Sequence, residues 1–166
     1  SLSMNQYSPI EGVVTSIAPL QSGSRPGCVL LLYVQTDYQE TFQILVDTST
    51  YVLDQKPVRR GDPVIVFYDI TAPVPLIYPP QYKAVAMLVR ACNEFAMLDY
   101  FDQNLRNSEN TLILNPSGST TVQLPNGQYY QGTLGNQYML VLYTTNTRSI
   151  PAQTTPVRII VFCCDT

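Results

Sequence analysis

The 166-residue chain carries nine Lys and Arg against twelve Asp and Glu, a formal charge of −3, and it contains no histidine or tryptophan. Without histidine, a Cys₂His₂ zinc site and the Ser-His-Asp and Cys-His nucleophilic sites cannot be built in their usual form. With so few cations, Lys56, Arg59 and Arg60 on one turn being the densest group, a nucleic-acid partner is not expected, because phosphate binding needs clustered Lys and Arg.

Only 13% of the residues are charged, so solubility leans on Asn, Gln, Ser and Thr, a composition common on extracellular surfaces. Thirteen prolines and abundant Val, Thr and Tyr point to strands over helices. The longest apolar runs, Val64 to Tyr68 and Ala84 to Val89, fall far short of the roughly 20 residues a membrane-spanning helix needs. No charged-then-apolar leader opens the chain, so membrane insertion is not expected and the compartment stays open.

In chain order, residues 1 to 9 look like a loose leader. Alternating Val13, Thr15 and Ile17 predict a strand that Pro19 stops. Residues 21–27 are turn material. Cys28 to Gln35 predicts a second strand, and Phe42, Ile44 and Val46 set the inward face of a third, giving a meander. The Pro57 to Asp62 stretch is a tight turn in which Gly61 permits positive φ before a fourth strand, Pro63 to Tyr68. The loop from Asp69 to Tyr82, with prolines at 73, 75, 79 and 80, should be extended and stiff. A fifth strand, Lys83 to Arg90, closes the first unit.

Phe95 to Phe101 also fits a helix face, but a strand is preferred. Asn104 to Asn110 is polar turn, with Thr111 to Leu114 pairing beside it. Pro125-Asn126-Gly127 sits between Val122–Leu124 and Gln128–Tyr130 and predicts a type I′ hairpin turn.

The chain then repeats itself. An apolar strand ending in tyrosine occurs as Val64 to Tyr68 and as Met139 to Tyr143. A proline-rich connection follows each, with Pro-Pro-Gln at 79–81 and Pro-Ala-Gln at 151–153. A second apolar strand closes each copy, at Val85 to Val89 and Val157 to Val161. The second connection is three residues shorter, a change expected of a surface loop. The expected fold is all-β: two contiguous small β-barrels related by internal duplication, at 7–92 and 93–166.

The Gly61-Asp62 step, the strand ending in Tyr68, the later Pro-x-Gln and the closing aliphatic strand together resemble small OB-like β-barrel modules. Such modules occur in tandem in Gram-positive bacterial surface proteins, beside copper amine oxidase N-terminal-like stalk domains. The second copy, TRSIPAQTTPVRIIVF, is the closer match. The resemblance covers most of residues 10 to 162 and implies the fold and an envelope location, with no catalytic residue to carry over.

The four cysteines, Cys28, Cys92, Cys163 and Cys164, fit no zinc spacing. Overlaying the copies sets Cys92 opposite Cys164, each expected as apolar filler just past a strand. Asp47, Asp54, Asp62 and Asp69 offer a carboxylate route to acid–base chemistry. They fall at turns, however, where Asp is favoured for local hydrogen bonding. Neither a cofactor nor a metal is expected.

The remaining candidates are aromatic. Tyr68, Tyr78 and Tyr82, with Pro79 and Pro80, could form a platform for a protein or glycan. The first expectation is therefore a non-enzymatic interaction module. The alternative is a carboxylate-dependent hydrolase of cell-wall polysaccharide.

Overall fold

The computed structural model describes residues 6–21 and 26–163. It is all-β, and the chain divides into two compact units between Arg90 and Ala91.

Unit 1 is built on β1 (Tyr7–Pro19), which serves two partners. Its first half, Tyr7 to Val13, runs antiparallel to β5 (Pro63–Asp69). Its second half pairs with β2 (Leu30–Gln35), with a register shift between Val14 and Ser16. An irregularity of this kind bends a strand and raises its twist, which lets one strand pass from one neighbour to the next. Gly12 sits at the changeover: a Cβ there would lie 2.4 Å from the Gln35 carbonyl oxygen and 2.8 Å from Val34 Cγ1. Only glycine allows that approach.

β2 continues through a hairpin into β3 (Thr41–Val46), and β3 pairs in parallel with the short β6 (Gln81–Lys83). On the other side, β5 pairs with β7 (Ala86–Val89), which takes β4 (Tyr51–Val52) in parallel. The sheet order is β4-β7-β5-β1-β2-β3-β6. Val64 to Phe67 of β5 are buried on both faces, as expected of a central strand. The core joins Ile10, Val14, Leu32, Val34, Ile44, Val64, Val66, Ala84 and Met87.

β6 and β7 lie near opposite ends of that order, yet two residues separate them. The Ala84 N–H donates to Leu45 O beyond β6 (2.9 Å), and the Val85 N–H donates to Phe67 O on β5 (2.8 Å). Two successive N–H groups thus tie both flanks of the sheet.

Unit 2 contains β8 (Phe95–Phe101), β9 (Leu112–Leu114), β10 (Thr121–Gln123), β11 (Gln137–Tyr143), β12 (Ala152–Thr154) and β13 (Arg158–Val161). Four of them form the sheet β10-β13-β11-β8, and β12 and β9 form a parallel pair. Isolated bridges Phe101↔Asn107 and Arg106↔Ile113 carry the chain from β8 toward β9. The buried Asn107 anchors that passage, its Oδ1 accepting from the Thr111 and Leu112 N–H groups at 2.8 Å each. Phe101, Leu112, Leu114, Met139, Val141, Ile159 and Val161 make the core.

Several expectations need correction. The sheets are open in hydrogen-bonding order, not closed into barrels. Tyr7 to Pro9 belong to β1, not to a leader, because β5 extends far enough to pair with them. The strand expected over Lys83 to Arg90 is divided, and Gln81 to Lys83 pair separately with β3. The 124–127 turn is not type I′, which needs positive φ at both central residues. Pro125 fixes a negative φ, and Gly127 alone is left-handed (φ 89°). Beyond that turn only Gln123↔Tyr129 bridges. Cys28, Cys92 and Cys163 are exposed free thiols, not filler, while Cys164 lies outside the described residues.

The meander, the Pro63 strand with left-handed Gly61 before it (φ 93°), and the strand reading of Phe95 to Phe101 agree with expectation.

Candidate functional site

The expected aromatic site separates into two parts. Tyr68 ends the buried run of β5, and Tyr82 lies on β6; their rings stack with centroids 4.1 Å apart, and Phe42 of β3 lies 6.0 Å from Tyr82. Both tyrosines are half-buried. Burial pushes the Tyr82 phenol above its ordinary value, and neighbouring Tyr68 adds to the shift. The pair therefore forms a packed wall and not a free platform.

Tyr78 belongs to the second part. It is 86% exposed, at the end of a loop in which Ile70, Val74, Leu76 and Ile77 also reach solvent, Leu76 completely. No residue from Ile70 to Tyr82 is charged. Pro79 and Pro80 are half-buried at its base. The buried Gln43 holds that base: its N–H donates to Pro80 O (2.8 Å) and its Nε2 to Pro79 O (3.1 Å). At the other end, Asp69 Oδ1 accepts from the Thr71 N–H (2.8 Å) and hydroxyl (2.6 Å). The loop is thus fixed at both ends, with apolar side chains exposed between.

The four aspartates do not converge. Asp47 Oδ1 accepts from the Ser49 N–H (2.9 Å) and hydroxyl (2.7 Å), and Lys83 Nζ lies 3.2 Å from Oδ2. The Ser49 hydroxyl is the largest cause holding its pKa below the ordinary carboxylate value. Asp62 Oδ2 caps its own turn through the Arg59 N–H (2.8 Å). Asp54 sits at a left-handed position (φ 58°). The carboxylates of Asp47, Asp62 and Asp69 each organise local backbone. Among the described residues, no group of three or more Cys, Asp or Glu is placed to hold a metal ion.

A third feature was not anticipated. A cleft of about 380 Å³ lies between β1, the β2–β3 hairpin and β5, lined by Glu11, Asp37, Tyr38, Glu40, Phe42 and Tyr68 along with Pro9, Ile10 and Thr36. The hairpin closes through Gln39 N–H to Thr36 O (3.1 Å) and Thr36 N–H to Glu40 O (2.8 Å), with Gln39 left-handed (φ 65°). Asp37, Tyr38 and Glu40 are adjacent or nearly so in sequence. Glu11 reaches the same place through the β1–β2–β3 register, which local reading does not supply.

No protein-family model, curated protein or solved structure matches the chain.

Proposed function

We propose that the chain is a non-enzymatic interaction module of the bacterial envelope, made of two copies of one OB-like unit and docking a protein through the loop between Asp69 and Gln81. The observation that carries this is the loop's exposure of Ile70, Val74, Leu76, Ile77 and Tyr78 without an intervening charge. Exposed apolar clusters of this kind mark interaction sites. Prolines lower the entropy lost on docking. From Val74 to Pro80 only the Tyr78 hydroxyl offers a polar side-chain group, which favours an apolar protein groove over a sugar.

Matched pairing supports the duplication. β5 lies between β1 and β7, as β11 lies between β8 and β13. The parallel pairs β4–β7 and β3–β6 have counterparts in β10–β13 and β9–β12. The turn before each parallel edge strand also repeats. The Thr50 hydroxyl accepts from the Asp47 N–H and donates to Ala84 O; the Thr120 hydroxyl accepts from the Ser117 N–H and donates to Pro156 O. Against a polysaccharide hydrolase stands the use of Asp47, Asp62 and Asp69 in their own turns.

Peptide and glycan arrays probed with wild type and a Leu76→Ser, Tyr78→Ser double variant test the reading. Peptide binding weakened at least tenfold by the double change, with an unaltered melting temperature, is the expected outcome. Binding indifferent to both substitutions sinks it.

A further inference from the structure

We propose that the turn Arg60-Gly61-Asp62 of unit 1 is a docking element for a receptor that takes a guanidinium in an acidic pocket and a single carboxylate oxygen at a bound divalent cation. The element is separate from the proline loop, and the inference does not rest on that loop binding anything.

The turn is held in one shape. Asp62 N–H donates to Arg59 O (3.0 Å), and of the two central residues only Gly61 is left-handed (φ 93°), the pattern of a type II turn. Two further bonds fasten it to β1: Gly61 N–H donates to Val14 O (2.7 Å), and Val14 N–H donates to Asp62 O (2.9 Å). A Cβ at Gly61 would meet nothing within 4 Å, so glycine is needed there for its φ and not for packing. The same open space lets a partner come close to the turn. The segment is ordered on folding, which leaves little freedom to lose on docking.

The two charged side chains are prepared differently. Arg60 is exposed, and among the described residues its guanidinium takes part in no ion pair or hydrogen bond. A guanidinium displayed in this way can pair with a carboxylate through its planar fork. Asp62 is half-buried, and its Oδ2 accepts from the Arg59 N–H (2.8 Å), which leaves Oδ1 without a partner among the described residues. That single engaged oxygen selects the chemistry of the partner. An arginine fork uses both carboxylate oxygens, whereas a divalent cation with an open position can be ligated by one. The bond from Arg59 also fixes the direction of the carboxylate, and no ion pair joins it to Arg60. Both charges therefore stay available, two residues apart on a fixed turn.

The test is surface plasmon resonance of the full chain over the immobilised ectodomain of an integrin that binds linear Arg-Gly-Asp peptides, a receptor of this chemistry, in buffer containing Mn²⁺. Expected is saturable binding with a dissociation constant of about micromolar order. It should be lost in EDTA and displaced by the peptide Gly-Arg-Gly-Asp-Ser but not by Gly-Arg-Gly-Glu-Ser. Arg60→Ala and, separately, Asp62→Asn should each raise the constant by about tenfold or more, the size of one lost contact to a charged group. Arg60 is exposed, and asparagine keeps an oxygen for the Arg59 N–H, so both variants should keep the wild-type melting temperature. The Leu76→Ser, Tyr78→Ser variant should bind as wild type, which separates this element from the proline loop. No saturable binding up to roughly 100 µM, binding that survives EDTA, or binding indifferent to both substitutions overturns the proposal. So does binding weakened by the loop variant alone.

Discussion

Tyr82 shows how a residue's role follows from its position in a short pairing. Placed in a proline loop it would be a surface ring; held at β6 opposite Ile44 it stacks on Tyr68. Its phenol is pushed above the ordinary value of 10.0, which has a defined consequence for pH. Above pH 10 the unfolded chain loses this proton while the folded chain keeps it, so the unfolded state binds fewer protons and stability falls as pH rises. Below pH 10 the contribution is whole. A urea-denaturation series across that range should show this decline in wild type, and Tyr82→Phe should flatten part of it. An unchanged slope in the variant would show that Tyr82 is not the group responsible. The sequence revealed Tyr68 and Tyr82 as related aromatics but not their stacking, because the pairing of β6 with β3 joins residues far apart in the chain.

At the scale of elements, legibility followed the distance over which each signal acts. The meander announced itself through alternation, and Gly61 through turn chemistry; both are local. The division between β6 and β7 was hidden because Lys83 to Arg90 read as one strand around the apolar run Ala84 to Val89, although Lys83 pairs with β3 and Ala86 to Val89 pair with β5. At the 124–127 turn the Asn-Gly pair points to type I′, but Pro125 precedes it and its fixed φ decides the turn type. Gly12 carries no local signal, since its importance lies in the approach of Gln35 from another strand. Gly12→Ala should therefore be severe: the Cβ would press on backbone that cannot rotate away, at a cost of roughly 2–3 kcal/mol from overpacking, read as a lower urea midpoint. A midpoint equal to wild type would mean that the β1–β2 crossing is looser than described.

For the molecule as a whole, each unit has its own core. A fragment ending at Arg90 should therefore melt cooperatively by itself, though with small margin, since chains of this size bury a modest fraction of their surface. Circular dichroism of residues 1–90 would check this, and a non-cooperative, featureless melt would contradict it. The all-β class was readable at this scale from thirteen prolines and abundant Val, Thr and Tyr. Closure was not, since it depends on which flanks meet. The cleft was invisible for a related reason: Glu11 and the hairpin acids come together only once β1 has passed from β5 to β2.

The two successive peptides that meet at Ala84 act as a clasp. Their amide protons, those of Ala84 and Val85, are spoken for by opposite flanks of one sheet, so neither flank can peel away while the other holds its shape. Opening of unit 1 must then be concerted: slow solvent access to these two protons would accompany loss of the entire fold, and fraying from a single edge would leave both untouched.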